Sequence, residues 1–420
     1  MTPNTDALAE RAAIDGELRL AVRHWTGGIR LTVGDVLTGF TVTEGAIEPS
    51  VPEAGPDVVS IDGPIEAWTP LLEAVPPRFA TGVVPFATAG LLRVDADPVR
   101  YWQYLPAIER TIELLRPPVV APRAVAEERG SLPRHDSPVG RYIHLDLDGV
   151  DHRIYYEHAG NGIPLLLQHT AGAHGLQWRH LFEMPEITEH FQLIAYDLPF
   201  HGKSIPPVDH RWWEEEYQLR GEFLRQVPVA LADALELERP VFMGCSVGGL
   251  LALDLALHHP DVFRAVISLE GSLFVGGELG ETALGFWHPQ VSNQSKARLM
   301  ESLCAPGSPE AYVKEVSQVY SAGWPPAFLG DLHYYVAEYD LRERAGEIDT
   351  NRCAVHILSG EYDWSATTEM GVQAHEGIAG STHAVMPGVG HFPMQENPRE
   401  FLRHLQPVLD RIRAAATVPS

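Results

Sequence analysis

The chain is poor in cysteine, since its 420 residues include only Cys245, Cys304 and Cys353. An odd number of widely separated cysteines offers neither a disulfide framework nor the paired spacing of a zinc site. Such cysteine usage is typical of proteins from reducing compartments. We therefore expect free thiols and a cytoplasmic location.

Leader-like and membrane-spanning stretches are also lacking. The first residues, MTPNTDALAERAAIDGEL, are polar and acidic, without the basic start and apolar run of a secretory signal. No stretch approaches the roughly 20 apolar residues that cross a bilayer. We expect no membrane partner.

Positive charge is scarce, because 31 Lys and Arg residues face 56 Asp and Glu residues, for a net charge of −25. A chain so acidic repels phosphate backbones and anionic lipids. This charge disfavours nucleic acid as a partner, so we expect the partner to be a small molecule.

The length exceeds that of one ordinary hydrophobic core. A stretch rich in proline, glycine and charge, PPVVAPRAVAEERGSLPRHDSPVG, interrupts the periodic apolar sequence. We therefore predict an N-terminal domain over residues 1–118, a linker over 119–140 and a second domain over 141–420.

The N-terminal segment alternates apolar and polar residues in GIRLTVGDVLTGFTVTEGAIEP, with turn signals at Gly34-Asp35 and Glu44-Gly45. That pattern predicts antiparallel strands. DPVRYWQYLPAIERTIELLRPP then predicts one amphipathic helix, which ends at Pro117-Pro118. With strands first and a helix last, the segment is predicted to be a small α+β domain.

The second segment opens with a predicted hairpin, RYIHLDLDGVDHRIYYEHAG, which turns at Asp148-Gly149. Short and wholly apolar runs follow, each with a loop and usually a helix-like stretch after it: IPLLLQH, FQLIAYD, PVFMGCS, AVISLEG, AVHILSG and STHAVMPG. Continuous apolar strands that alternate with helices predict a mostly parallel sheet covered on both faces, an α/β fold.

A single serine, Ser246, lies between Gly244 and Gly248 where an apolar strand meets a helix. A turn this tight strains the backbone of the serine and leaves no room for side chains two residues to either side. It also exposes the serine hydroxyl and aims the N–H of Val247 at whatever the serine attacks. We predict that Ser246 is a nucleophile and Val247 an oxyanion donor.

A serine hydroxyl needs a base, and the base needs a carboxylate that orients it. Asp363 follows the strand AVHILSG, and His391 follows the strand STHAVMPG. Carboxyl ends of parallel strands are where ligand-facing residues gather. We predict Asp363 as the acid and His391 as the base. Glu361 is an alternative acid, with Asp363 then capping a helix.

The segment LLLQHTAGAHG places small residues directly after an apolar strand. Small residues let the main chain approach a developing negative charge, so the N–H of Ala171 is the predicted second oxyanion donor. The spacing of His169, His174 and His180 matches no familiar metal site. We predict neither a metal nor an organic cofactor.

Together, the segments HTAGA, YDLPFHGKS, GCSVGG, GEYDW and GVGHFPMQENP make residues 140–412 resemble an α/β-hydrolase. The resemblance implies the α/β-hydrolase fold and the same nucleophile, acid, base and oxyanion donors. Asp197 matches a position that is structural in this family. The chain departs from the family where the oxyanion loop usually opens with His-Gly, because it has His169-Thr170.

About 80 residues, roughly 271–351, separate the strands AVISLEG and AVHILSG, which is too long for a simple connection. The segment resembles the cap that this family inserts over its active site. Its many aromatic residues predict a bulky apolar substrate. Candidate substrate-binding residues in and near it are His169, Trp212, Trp287 and Trp324.

The N-terminal segment resembles an SCP2-like sterol-carrier fold in FTVTEGAIEP, VVSIDGPIEAW and LLRVDADPVRYWQYLPAIERTIELL. The resemblance implies an apolar-ligand pocket or a docking surface. A packing or oligomerisation domain is the alternative. We expect a homo-oligomer in which this domain takes part.

These residues predict hydrolysis of a carboxylic ester or lactone through an acyl-enzyme. The same residues would serve a C–C bond hydrolase of ketonic intermediates in aromatic degradation, or an amidase. A non-catalytic ligand-binding protein on a hydrolase scaffold is an alternative of another class. No residue of the segment 271–351 decides among them.

Overall fold

The computed structural model describes residues 8–117, 135–277 and 283–416. Most of the predicted linker, residues 119–134, lies outside the described residues. The described chain forms two sheets, one from the residues before the linker and one from the residues after it.

The N-terminal sheet has the strand order β3-β2-β1-β4-β5. Its strands are β1 (Gly27–Val33), β2 (Val36–Thr43), β3 (Ala46–Glu48), β4 (Val58–Gly63) and β5 (Arg93–Asp95). The predicted turns are present, with positive φ angles of 60° at Gly34 and 81° at Gly45. Strands β1, β2 and β3 are antiparallel neighbours, as the alternating pattern predicts.

The helices of this region differ from the prediction of strands first and one helix last. They are α1 (Leu8–Ile14), α2 (Gly16–Val22), α3 (Ile65–Leu71), α4 (Val83–Thr88), α5 (Pro98–Gln103) and α6 (Leu105–Leu115). Two helices precede the first strand, and the predicted terminal helix is split at Tyr104, which has φ −107° and ψ 14°. Pro106 has no N–H to continue α5, so the chain starts a new helix with proline in its first turn.

The second sheet has the order β13-β12-β11-β10-β8-β9-β7-β6. Its strands are β6 (Val139–Leu147), β7 (Val150–Ala159), β8 (Ile163–Gln168), β9 (Phe191–Tyr196), β10 (Val241–Cys245), β11 (Ala265–Leu269), β12 (Ala354–Gly360) and β13 (Thr382–Met386). Strands β8 to β13 pair in parallel, whereas β6 and β7 form the predicted hairpin through Asp148 and Gly149, both with positive φ. The predicted mostly parallel sheet is confirmed.

Helices cover both faces of this sheet. They are α7 (Arg179–Phe182), α8 (Pro185–Thr188), α9 (Gly221–Ala234), α10 (Val247–His258), α15 (Thr368–Gly377), α16 (Pro393–Glu396) and α17 (Pro398–Ala416). Successive strand residues alternate between two apolar cores: Phe242 and Val266 belong to one, and Met243 and Ile267 to the other. Burial on both faces explains why these strands read as unbroken apolar runs.

Between β11 and β12 the chain forms the helices α11 (Ala283–Phe286), α12 (Asn293–Glu301), α13 (Glu310–Ala322) and α14 (Pro325–His333). A π-helical turn, Tyr334–Glu338, continues α14. We call residues 271–351 the insertion. The insertion contacts the residues that follow two strands of the second sheet, because Tyr335 bonds to Ser246 after β10 and Asp331 bonds to Gly172 after β8.

The N-terminal region packs against the insertion. Arg298 on α12 forms ion pairs with Glu113 on α6 and with its own neighbour Glu301. Lys314 on α13 lies 2.7 Å from Glu17 on α2. Charged contacts thus join the N-terminal region to the insertion.

All three cysteines are buried and have free thiols. Within the described ranges, no helix is both long enough and apolar enough to cross a membrane. The same ranges contain no group of three or more His, Cys, Asp or Glu side chains arranged to hold a metal ion.

Candidate active site

Ser246 lies at the sharp junction between β10 and α10, with φ 59° and ψ −114°. A non-glycine residue in such a conformation costs of order 1–3 kcal/mol. The glycines beside it are required by space. A Cβ on Gly244 would lie 2.4 Å from the backbone of Gly248, and one on Gly248 would lie 2.8 Å from Cγ of Gln168. The tight turn expected from the glycine pattern is present.

Asp363 and His391 meet at the carboxyl ends of β12 and β13. The ring Nδ1 of His391 lies 2.5 Å from Oδ2 of Asp363. The other oxygen of Asp363 accepts hydrogen bonds from the backbone N–H groups of Ser365 at 2.8 Å and Ala366 at 3.0 Å. Glu361 instead accepts the N–H of Gly388 at 2.8 Å. Asp363 is therefore the carboxylate that contacts the histidine.

The Asp363 carboxylate is charged although it is fully buried. Burial alone would raise its pKa, but the attraction and hydrogen bond of His391, together with the N–H donors, lower the pKa below its usual value. His391 in turn lies against the serine turn, because its carbonyl oxygen is 3.1 Å from Sγ of Cys245. The backbone of His391 thus lies next to Cys245, which precedes Ser246, while the Asp363 carboxylate holds the His391 ring.

Glu270, which the sequence reasoning missed, lies behind this pair at the end of β11. Its carboxyl oxygens accept the N–H of Gly360 at 2.8 and 2.9 Å. Burial and the charge of Asp363 raise the pKa of Glu270 well above its ordinary value. The surroundings of Glu270 therefore favour its protonated form beside Asp363. Its place directly after an apolar strand was the available signal, the same one that marked Asp363.

Tyr335, on the π-helical turn of the insertion, contacts the serine itself. The Ser246 Oγ and the Tyr335 hydroxyl are 2.7 Å apart. Within the described residues the hydrogen-bond partner of the serine hydroxyl is Tyr335 and not His391. Burial raises the pKa of Tyr335, so the phenol is neutral.

The loop after β8 is fastened to the insertion at two points. The Gly172 N–H donates to Oδ2 of Asp331 at 2.7 Å, and the Thr170 hydroxyl lies 2.5 Å from the Tyr320 hydroxyl. Ala171, the predicted oxyanion donor, is buried between these two attachments. The position of its N–H therefore depends on residues of the insertion.

Asp331 is fully buried and also binds a histidine. Its Oδ2 lies 2.9 Å from Nε2 of His201, and its Oδ1 accepts the Tyr217 hydroxyl at 3.0 Å. Burial would lower the pKa of His201, but the charge and hydrogen bond of Asp331 raise it above its ordinary value. Asp331 thus favours the charged form of the buried His201 ring. Periodicity in the helix α14 gave no sign of it.

The predicted substrate-binding residues lie in different surroundings. His169 is fully buried, with Nδ1 donating to the Thr170 carbonyl at 2.8 Å and Nε2 accepting the Leu198 N–H at 3.1 Å. Trp212 and Trp324 have ring centroids 5.5 Å apart and line a surface cavity of about 310 Å³. Trp287 is 46% exposed. The structure therefore brings Trp212 and Trp324 together at the cavity. His169 instead binds the backbone of the loops that follow β8 and β9.

Asp197 has the structural role that was expected of it. One carboxylate oxygen accepts the Gly175 N–H and the other the Lys203 N–H, both at 2.7 Å. These bonds join the loops that follow β8 and β9.

Residues 163–294 match the family model described as alpha/beta hydrolase fold. A pimeloyl-[acyl-carrier protein] methyl ester esterase of Vibrio vulnificus is 25% identical over 267 residues, which cover 60% of this chain and 96% of the relative. A 2-hydroxymuconate semialdehyde hydrolase of a Pseudomonas strain is 28% identical over 170 residues, 40% of this chain and 56% of the relative. The solved structure of an enol-lactonase from Burkholderia xenovorans is 18% identical with a TM-score of 0.51, and the match covers 65% of this chain and all of that one.

Proposed function

We propose that this chain, which has the α/β-hydrolase fold, is a serine hydrolase that cleaves a carboxylic ester or lactone of a bulky apolar or aromatic small molecule. The observation that carries the proposal is the buried Asp363–His391 pair beside the strained turn of Ser246. A charged carboxylate that orients an imidazole next to a serine on such a turn is the arrangement that activates a hydroxyl.

In the proposed reaction the Ser246 hydroxyl leaves Tyr335 by changing its side-chain rotamer and turns toward Nε2 of His391. His391 takes the hydroxyl proton as Oγ bonds to the carbonyl carbon. The resulting oxyanion accepts hydrogen bonds from the N–H groups of Val247 and Ala171. Asp363 stabilises the imidazolium that forms.

The tetrahedral intermediate then collapses. The bond to the leaving oxygen breaks, and His391 returns the proton to that oxygen, which leaves the acyl group on Ser246. Water that gives a proton to His391 attacks the acyl carbon, and the acid is released as the proton returns to Ser246. Each step uses groups of this chain and one water molecule.

We propose that the insertion is a cap over this site. Tyr335 reaches the serine from it, and Tyr320 and Asp331 fasten the oxyanion loop to it. The aromatic rings of Tyr320 and Phe328 lie 6.0 Å apart in this layer. An aromatic layer of this kind favours an apolar substrate.

C–C bond hydrolysis is a second candidate, because one relative is a 2-hydroxymuconate semialdehyde hydrolase. The same serine, histidine and aspartate would serve that reaction. The third alternative, a ligand-binding protein without activity, is disfavoured by a charged Asp363 that is fully buried against His391. Binding alone does not need such a group.

Purified wild type and Ser246→Ala should be assayed against a series of p-nitrophenyl esters and a vinylogous diketone. We expect the wild type to hydrolyse the esters and the variant to lose at least 10³-fold of kcat. Turnover of the diketone alone would favour the C–C hydrolase. Tight binding of apolar esters without turnover of either substrate would favour the binding protein.

For the N-terminal region we propose a docking role, in which it supports the insertion and contributes to a homo-oligomer. The ion pairs of Arg298 with Glu113 and of Lys314 with Glu17 support the first part. The resemblance to a sterol-carrier fold stays a prediction. A chain that starts at residue 136 should lose activity and change its assembly state; equal activity with unchanged assembly would contradict this role.

A further inference from the structure

Lys296 on α12 is a buried cation without a hydrogen-bond partner. The residue is 1% exposed, and its Nζ contacts no acceptor. Arg298, two residues later on the same helix, is also buried but forms ion pairs with the carboxylates of Glu113 and Glu301. The chain thus neutralises one buried cation of this helix and leaves the other without a carboxylate.

Lys296 lies in the layer of the insertion that covers the oxyanion loop. Its Nζ is 5.6 Å from the centre of the Phe328 ring. Phe328 packs directly on the loop, since a Cβ on Gly172 would lie 2.6 Å from Cβ of Phe328. Phe328 also contacts Tyr320, whose hydroxyl bonds to Thr170 in the same loop.

The charge that raises the pKa of Lys296 against burial is that of Asp331, and this carboxylate is already engaged. Asp331 accepts from the N–H of Gly172, from His201 and from Tyr217. Burial lowers the pKa of Lys296 to about 8, so most of the side chain is still protonated near pH 7. The ammonium group therefore has a positive charge and three donors that no described side chain uses.

An unpaired ammonium in an apolar layer is unfavourable unless an anion joins it. We propose that Lys296 binds a carboxylate of the substrate, so that the substrate class is an ester or lactone that also has a free carboxylate on an apolar or aromatic frame. This inference rests on the proposed hydrolase function. A charge-assisted hydrogen bond in such surroundings is strong, and the rings of Phe328 and Tyr320 would contact the frame.

A binding experiment tests this inference without turnover. Calorimetry should compare 4-phenylbutyrate with 4-phenylbutanamide, which has the same frame and no charge. For the wild type we expect the carboxylate to bind at least tenfold more tightly. In Lys296→Met this preference should fall below threefold. Lys314→Met is the matched control, because Lys314 is a half-buried lysine of the insertion that is paired with Glu17.

The preference should persist in Lys314→Met. A preference that survives in Lys296→Met, or a wild type without any preference, would overturn the role of Lys296. Thermal unfolding measurements distinguish a binding role of Lys296 from a purely structural one. Replacing an uncompensated buried charge by methionine should keep or raise Tm, whereas a fall in Tm with equal weakening of both ligands would mean that Lys296 only supports the fold.

Kinetics distinguish this inference from the function on which it rests. The p-nitrophenyl monoester of glutaric acid should have at least tenfold higher kcat/KM than p-nitrophenyl butyrate, and Lys296→Met should reduce that ratio about tenfold. Hydrolysis of both esters with a ratio near one would contradict the carboxylate site and leave the hydrolase. Carboxylate-selective binding without hydrolysis of either ester would contradict the hydrolase and leave the site.

Discussion

The carboxylate of Asp331 accepts a hydrogen bond of 2.7 Å from the backbone N–H of Gly172. This bond joins the insertion to the loop whose preceding residue, Ala171, is the proposed oxyanion donor. The orientation of that donor is therefore set by a side chain that lies about 160 residues away in the sequence.

Asp331→Asn should weaken the attachment of the oxyanion loop, because an amide oxygen is a poorer acceptor and its NH₂ group opposes the donors around it. We expect kcat to fall about 10- to 100-fold with a smaller change in KM, since a misplaced oxyanion donor costs mainly transition-state stabilisation. Asp340→Asn, an exposed acid of the insertion paired with Arg342, is the control and should keep kcat. Equal kcat values for the two variants in steady-state assays would show that Asp331 does not position the loop.

The Asp331–His201 pair should make stability depend on pH. The pKa of His201 is raised in the folded protein, so its charge stabilises the fold fully below the unfolded value of about 6.5. That contribution is lost as the pH rises through the higher folded pKa. The difference in unfolding free energy between wild type and His201→Asn should therefore shrink from pH 6 toward pH 9. Denaturant titrations at each pH measure it, and a difference that grows with pH would contradict the charged pair.

Tyr335→Phe should raise kcat/KM for small neutral esters. The Tyr335 hydroxyl is 2.7 Å from the Ser246 Oγ, so the serine must break this hydrogen bond before it can turn toward His391. One such hydrogen bond has a net value of about 0.5–1.5 kcal/mol, which corresponds to roughly 2- to 10-fold.

Tyr339→Phe is the control for the loss of a hydroxyl in the insertion, because Tyr339 bonds to the Ser272 carbonyl and not to Ser246. It should leave kcat/KM unchanged. A fall of tenfold or more in Tyr335→Phe alone would instead assign the phenol a direct part in stabilising the transition state.

Asp363→Asn should reduce kcat by about 10³- to 10⁴-fold, because the amide cannot stabilise the imidazolium and favours the wrong tautomer of His391. Glu361→Gln is the control two residues away, since Glu361 contacts the Gly388 N–H. Rate measurements at saturating ester decide between them. A large loss of kcat in Glu361→Gln with little loss in Asp363→Asn would show that Glu361, and not Asp363, is the carboxylate that supports His391.

The sequence was sufficient for those parts of the site that local backbone demands determine. The glycines Gly244 and Gly248 predict the turn at Ser246, because no side chain fits at either glycine position. The alternation of apolar runs and helices predicts the strands that place Asp363 and His391. The choice between Asp363 and Glu361 needed the structure, since both follow the same strand.

The rest depends on contacts between distant segments, which periodicity does not encode. Asp331, Tyr335 and Lys296 sit on helices where each reads as an ordinary helical residue, and only tertiary packing brings them to the loop and the serine. The break at Tyr104 is a local event that Pro106 could have indicated. The two helices before β1 are so short that their apolar periodicity was too weak to predict them.

Treatment with a fluorophosphonate, followed by intact and peptide mass spectrometry, tests directly whether Ser246 is the nucleophile. We expect one adduct per wild-type chain, located on Ser246, and no adduct on Ser246→Ala. Labelling should be at least 10²-fold slower in His391→Ala, because the imidazole activates the hydroxyl. An adduct on another residue, or equal labelling of Ser246→Ala with its esterase activity retained, would show that Ser246 is not the nucleophile.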